Sequence, residues 1–303
     1  MYNGIINVYK EKGYTSHDVV AKMRGILKMK KIGHTGTLDP DAVGVLPVCL
    51  GKGTKLVDLI TDKDKTYEAV MKLGVTTDTQ DLTGKVLSTA EVTVDYDEIV
   101  TAVKNYIGIY DQLPPMFSAI KIDGKKLYEL ARQGKEIERS TRSVTIHNIQ
   151  IIGYEETSNE VTLLVDCGKG TYIRTLIHDI GNELGCGASM KSLIRRAVGG
   201  FRSEEAFTLA KIEELVRTNQ IEAYILPVDS MFNGYSRLVV DRDYHKLIYN
   251  GNNFSREHLA KTLKESATTS GEWFRVYDSD DIFIGIYRYD INENCFRPVK
   301  MFL

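Results

Sequence analysis

At 303 residues with 43% hydrophobic content, the chain is long enough for one large domain and a small one and too apolar for a disordered segment. A formal net charge of -2 excludes a globally basic nucleic-acid binder, so such a partner has to be met by local cations. Four cysteines (Cys49, Cys167, Cys186, Cys295) fall in no C-x-x-C or Cys/His ligand spacing, which argues against a disulfide framework and a structural zinc site; the N-terminal MYNGIINVYKEKG lacks a signal-peptide core, and the longest uncharged apolar run, residues 42–51, is too short to span a bilayer. A soluble, cytoplasmic protein is expected.

In chain order, residues 4–9 alternate as a strand, and a polar turn over 10–14 leads to Thr15 or Ser16 as an N-cap. Asp18 suits the helix dipole, and Val19, Val20, Met23 and Leu27 share a face, which predicts a helix over 16–28. Lys22, Arg24, Lys28, Lys30 and Lys31 lie between residues 22 and 31 without an intervening acid; they read as a solvated helix end or as a phosphate contact. A strand over 44–50 and a short helix carrying Leu56, Leu59 and Ile60 follow. Residues 66–73 alternate strictly, with Tyr67, Ala69, Met71 and Leu73 on one face, so Tyr67 points into the interior or a cleft. A polar loop with Asp78, Thr79, Asp81, Thr83 and Gly84, a further strand and a helix around 96–107 come next.

Leu113-Pro114-Pro115 blocks regular structure before a basic excursion over 121–142, where Lys121, Lys125, Lys126, Arg132, Lys135, Arg139 and Arg142 face Asp123, Glu129, Glu136 and Glu138, with Phe117 and Tyr128 interleaved. That mixture fits a nucleic-acid contact, and equally a charged surface helix. Strands over 143–152 and 161–166 precede a Gly168-Lys169-Gly170 turn into a helix over 171–184, striped by Ile173, Leu176, Ile177, Ile180 and Leu184, with Arg174 beside Tyr172 in its first turns. A third basic cluster holds Lys191, Arg195, Arg196 and Arg202. Strand-like pieces at 237–240, 273–278 and 282–289 set a boundary near 233, giving domains 1–233 and 234–303, the second small and β-rich.

Gly33, His34, Gly36, Asp39, Pro40 and Asp41 are crowded into nine positions. Position 46 is Leu, where a P-loop ending at Gly51-Lys52 needs glycine, and Gly44 comes too early for a calcium loop. Asp39 and Asp41 have too few neighbouring ligands for magnesium, and no G-x-S-x-G elbow completes a triad with His34. What is left is a Gly-flexible loop presenting His34 and one carboxylate, Asp39, restricted by the following proline. Taken alone, Asp39 starting an ordinary Asp-Pro turn is the simpler reading.

The stretch GHTGTLDPDAVGVLPVCLGKGTK resembles the signature of the TruB family of tRNA pseudouridine-55 synthases, and KTYEA, TDTQDLTG, QLPPMFSAIKIDGKKLYELARQG, CGKGTYIRTLIHDIG and SLIRRAVGGF are similar to that family's later blocks, in order. The resemblance implies an α+β fold, a catalytic domain with a central, largely antiparallel sheet flanked by helices. It implies that Asp39 attacks the target nucleotide, that Tyr67 lies against the base, that Arg174 pairs with the carboxylate, and that His34 helps to hold flipped-out RNA. Thr37, Tyr172, Leu193, Lys10, Lys121, Arg132 and Arg196 are the further substrate contacts expected. One departure is Tyr9-Lys10-Glu11-Lys12-Gly13 where the family usually reads Asp-Lys-Pro-x-Gly, which puts the rigidity of that turn in question. LIYNGNNF and IFIGIYRYD loosely resemble a PUA-like RNA-binding domain.

The implied reaction breaks the bond from C1' to N1 of uridine and remakes it to C5, with no redox change, cofactor or metal. Asp39 serves by attack at C6, by attack at C1', or through a glycal; the sequence leaves these open. Arg174 is expected to lower the Asp39 pKa and keep it ionised, and Asp41 is expected to be a turn residue. The expected partner is the T-arm of tRNA, met by a monomer. Competing readings are a non-catalytic RNA-binding or RNA-folding module, a guide-dependent synthase acting on ribosomal RNA, and a metal-dependent hydrolase using Asp39 and Asp41.

Overall fold

The computed structural model describes residues 1–122, 124–260 and 269–303; Asp123, counted above among the acids of the basic excursion, lies outside the described residues. In chain order the elements are β1 (Gly4–Lys10), α1 (Ser16–Leu27), β2 (Ile32–His34), β3 (Val43–Leu50), α2 (Val57–Thr61), β4 (Lys65–Leu73), β5 (Val75–Thr77), β6 (Val86–Thr89), α3 (Tyr96–Asn105), β7 (Gly108–Gln112), β8 (Lys121–Ile122), β9 (Lys125–Lys126) and α4 (Leu127–Arg132). There follow β10 (Arg142–Glu155), β11 (Glu160–Cys167), α5 (Ile173–Glu183), β12 (Ala188–Val198), β13 (Phe201–Arg202), α6 (Leu209–Arg217), β14 (Ser236–Val239), α7 (His245–Tyr249), β15 (Phe254–Ser255), β16 (Trp273–Tyr277), β17 (Phe283–Asp290) and β18 (Cys295–Met301).

Among the described residues, nine strands form the main sheet in the order β1-β3-β12-β4-β11-β10-β7, with β2 added to β3 and β13 to β12. All of its pairs are antiparallel except β3 with β12, which meet in parallel at Ile194↔Val43 and Arg195↔Gly44. Gly44 makes that junction possible. Its φ is +109°, and a Cβ there would lie 2.3 Å from the Arg195 carbonyl oxygen, so only glycine lets the two strands approach.

Local sequence explains the elements around the sheet. Thr15 caps α1 in a reciprocal capping box with Asp18, and Val19, Val20, Met23 and Leu27 bury one stripe. That stripe packs with Leu209, Ile212 and Leu215 of α6 over Ile6, Val8, Leu46, Val48 and Leu50. In β4 the residues alternate buried and half-buried through its whole length. Its inward set joins Ile173, Leu176, Ile177 and Ile180 of α5 in a second cluster, where truncating one such side chain to alanine costs about 2–5 kcal/mol.

A second sheet, of five strands in the order β14-β16-β17-β18-β15, follows from Ser236. The two sheets share a seam: Val228 and Phe232 pack with Ile5, Val45 and Phe201 on one side and with Ile286 and Phe302 on the other. Across it Arg275 donates to the Tyr235 carbonyl at 3.0 Å, and the Tyr277 hydroxyl donates to Asp229 at 2.6 Å. No helix among the described residues is long and apolar enough to cross a membrane.

Candidate active site

The crowded loop between β2 and β3 is pinned from several directions. Thr35 is buried and donates its amide (3.2 Å) and hydroxyl (3.1 Å) to the Pro47 carbonyl. Ser16, the first residue of α1, accepts from the Leu38 amide at 2.9 Å. The Ala42 amide closes a turn onto the Asp39 carbonyl at 3.1 Å, as Asp-Pro predicts. Lys10 corrects an expectation. It is fully buried rather than an RNA contact, because its ammonium satisfies the orphan carbonyls of this turn, Ala42 at 2.6 Å and Pro40 at 3.0 Å. The Gly13 amide donates to Pro40 at 2.9 Å, so the turn over residues 9–13, whose missing proline put its rigidity in question, is tied to the Asp39 loop instead.

Asp39, thus presented, meets Arg174. Arg174 is 5% exposed in the first turn of α5 and reaches the carboxylate edge-on, with Nε to Oδ2 at 3.0 Å and Nη2 to Oδ1 at 3.4 Å. Its other hydrogens are also engaged, Nη1 with the Thr79 carbonyl and Nη2 with the Phe117 carbonyl, both at 2.9 Å, and Asp81 stands 3.8 Å from Nη1. Asp81 is a site residue that the sequence reading passed over, 93 positions from Arg174 by the numbering. α5 begins at Ile173 rather than at 171, since Gln112 takes both the amide (2.7 Å) and the carbonyl (3.0 Å) of Tyr172 and keeps that residue extended.

Arg174 does not govern the Asp39 pKa as expected. The largest influence is burial, which pushes the carboxyl above its ordinary value, with Asp81 adding to the push; Arg174 and Lys10 oppose it and are outweighed. The side chain keeps 41% of its surface open, so it is recessed but reachable.

Tyr67 lies on the inward face of β4, buried in the same cluster as Leu38 and Leu193. Its direct cross-strand partners are Arg195 on β12 and Val165 on β11, and Leu193 stands opposite Ala69. Burial raises the phenol pKa first, and Arg195 lowers it. His34 accepts the Gly36 amide on Nδ1 at 3.4 Å, leaving its proton on Nε2, and its ring stands edge-on to His17 at 5.5 Å. Burial, His17 and Arg195 all hold its pKa below the usual histidine value, so it is neutral at pH 7.

The three basic clusters differ. Lys22, Arg24, Lys28, Lys30 and Lys31 are all exposed at the end of α1 and beyond it, as are Lys121, Lys125, Arg132, Lys135 and Arg142 of the excursion and Thr37 beside the loop. Of the third cluster Arg202 is exposed, but the other three do not make the expected cationic surface. Arg195 is buried, Lys191 is paired with Glu160 at 2.7 Å, and half-exposed Arg196 is held by Glu68 at 2.7 Å. A strand in a packed sheet turns alternate residues inward, which a helix end does not.

Asp41 is exposed, and its carboxylate lies 3.8 Å from Lys12. The one grouping with metal-ligand spacing among the described residues is His245, Asp278 and Asp280. Its atoms are engaged: Asp278 accepts from Tyr249, Asp280 and Ile282, His245 from the Ser279 amide, and Asp280 from Arg242.

Comparison with known proteins gives a consistent outcome. A family model described as TruB family pseudouridylate synthase (N terminal domain) matches residues 24–173, and one described as tRNA pseudouridylate synthase B C-terminal domain matches 174–233. The chain is 55% identical to the tRNA pseudouridine synthase B of Lachnoclostridium phytofermentans over 99% of this chain and 100% of that protein, and 46% identical to that of Clostridium novyi over 94% of each. Among solved structures it resembles a chain of a Cbf5-Nop10-Gar1 complex (TM-score 0.70, 28% identity, 99% of this chain and 85% of that one). It resembles in the same way a chain of an H/ACA RNP bound to a substrate RNA containing 2'-deoxyuridine (TM-score 0.69, 25% identity, 99% and 85%).

Proposed function

Because the chain belongs to the TruB family of pseudouridylate synthases, we propose that it converts uridine to pseudouridine in tRNA, at position 55 of the T-loop, with Asp39 as the attacking group. The observation that carries this reading is the Asp39 carboxylate, fixed edge-on by a buried arginine at 3.0 Å and still open to the cleft. Such a carboxylate is oriented for attack without being sealed from substrate, and Arg174 supplies positive charge beside it as the glycosidic bond breaks. Tyr67, on the cleft floor with Leu193, lies against the extruded base. His34, neutral and with its Nε2 hydrogen free to donate to RNA, braces the gap left by extrusion, which costs a few kcal/mol.

The exposed cations at 22–31 and 121–142, with Tyr172 and Thr37 nearer the cleft, receive the T-arm phosphates. The reading includes a monomeric, cytoplasmic enzyme without cofactor, a catalytic unit over 1–233 and a PUA-like RNA-binding unit over 234–303. The 55% identity to a tRNA pseudouridine synthase B favours a stand-alone tRNA enzyme over a guide-dependent one.

The test is incubation with unmodified elongator tRNA and site mapping of pseudouridine, with and without EDTA. The expected result is modification at position 55 in both. Asp39→Asn is expected to form none while tRNA binding stays within about tenfold, or 1.4 kcal/mol. Retained turnover in that variant overturns the assignment, and loss in EDTA favours the metal-dependent reading.

A further inference from the structure

Arg195 is 1% exposed, and no carboxylate pairs with it among the described residues. A buried cation ordinarily needs a counter-charge. Here Nε donates to the Val45 carbonyl at 2.7 Å and Nη2 to the Gly36 carbonyl at 3.2 Å, so the guanidinium is locked between β3 and the Asp39 loop. Its direct partner across the sheet is Tyr67. The other titratable groups that feel it are Lys10 on β1, His34 on β2 and Lys65 on β4, two of them cations and the third a neutral imidazole. Among the described residues no carboxylate therefore neutralises Arg195, and the Tyr67 oxygen is placed to take up its charge.

We propose that Arg195 is the positioning residue for Tyr67, a built-in positive charge that fixes the phenol oxygen and holds it as the acceptor of the proton released from C5 of the base. The inference rests on the pseudouridine reading above. After C1' has joined C5, the C5–H bond breaks and its electron pair forms the C5–C6 double bond; the pair displaced from C6 goes to N1, or to the Asp39 oxygen where that is bonded to C6, N1 ends protonated from water, and the C5 proton passes to the Tyr67 oxygen. Burial holds the phenol pKa above its ordinary value, so the oxygen starts protonated and gives its own proton to water as it takes this one. Around Tyr67 the charged or titratable neighbours are Arg195, Asp39 and Cys167, and of these Arg195 alone favours the anion. Tyr287 is its internal contrast, fully buried and raised by burial with no opposing charge.

The experiment is single-turnover tritium release from tRNA carrying 5-tritiated uridine, with full-length enzyme in excess, between about pH 6 and 9. Arg195→Gln is expected to slow release by about tenfold or more across that range, since an adjacent opposite charge shifts a pKa by about 1–3 units. Arg195→Lys is expected to recover part of the loss, and adding Tyr67→Phe to Arg195→Gln is expected to cost little beyond Tyr67→Phe alone, because both act at one oxygen. Wild-type rates in folded Arg195→Gln, or losses that multiply independently, overturn the proposal and make Arg195 a structural anchor.

Should Arg195→Gln fail to fold, the 13Cζ resonances of wild-type tyrosines decide, with Tyr67 identified by its absence in Tyr67→Phe. Ionisation of Tyr67 before Tyr287 supports the proposal; ionisation with or after it overturns it. A wild type that leaves position 55 unmodified fails the preceding reading, whereas an active wild type with an equally active Arg195→Gln fails this inference alone.

Discussion

The cations at 22–31 and those at 191–202 look alike as strings of letters and do opposite things. The first set rides the end of a helix and the turn after it, where every side chain reaches water. Three of the second set ride a strand in the middle of a sheet, where one arginine is swallowed and two further cations are spent on Glu160 and Glu68, while the fourth, Arg202 on β13, stays exposed. Lys10 belongs with the swallowed group, and Arg174 is its functional extreme. Positive charge in this molecule is thus divided between cations that shape the site from inside and cations that face outward, and the division follows the element carrying them.

Substitutions that separate the two populations sharpen the contrast. Arg174→Lys is expected to be the most damaging, lowering the rate of pseudouridine formation by about 10²–10³-fold with tRNA affinity nearly kept, because a point charge cannot span both Asp39 oxygens and two carbonyls. Near-normal turnover makes the pair merely structural.

Lys10→Met loosens the Asp39 loop and is expected to cost about ten- to a hundredfold in rate. It also leaves a thermal signature. Burial holds the ammonium down to about 8 against an ordinary 10.5, so between those values the unfolded chain keeps a proton that the folded one has released. Stability rises with pH across that window. In Lys10→Met the rise in Tm between pH 8 and 10.5 is expected to disappear; a rise of unchanged size places its origin elsewhere.

The outward cations are expected to act on binding alone. Lys30→Glu with Lys31→Glu weakens tRNA binding by about tenfold and flattens the slope of log Kd against log salt by about two, leaving single-turnover rates at saturating enzyme unchanged. A slope equal to that of wild type removes these lysines from the interface. Smallest of all, Asp41→Asn loses one exposed ion pair with Lys12, and is expected to change activity less than about twofold; a large loss in a direct rate assay returns Asp41 to the catalytic argument.

The elements were largely legible because their signals are local. The alternation of 66–73 is the burial pattern of β4, and Thr15 and Asp18 are the cap that starts α1. Elimination alone left Asp39 as the loop's presented carboxylate, but its pairing with Arg174 was reached only through the resemblance, since no periodicity joins a loop to a helix start 135 positions away. Asp81 gave no signal of its own, because its role comes from where the loop after β5 folds back. Arg195 did carry one: it shares its strand face with Leu193 and Tyr67's own neighbours, and the period of two already pointed it inward. There the place along the strand, and not the charge, fixes where the side chain goes.

Trp273 is the chain's one tryptophan among 17 tyrosines. It begins β16, 39% exposed, with its ring 5.6 Å from Tyr235 in the segment that joins the two sheets. Excited at the red edge of protein absorption, that indole is a lamp fixed at the start of β16, beside the segment that joins the two sheets. Its emission colour follows how tightly the smaller sheet is seated, while tyrosine ellipticity follows the whole molecule, so a melt watched at both wavelengths resolves whether the two sheets part company before either of them unravels.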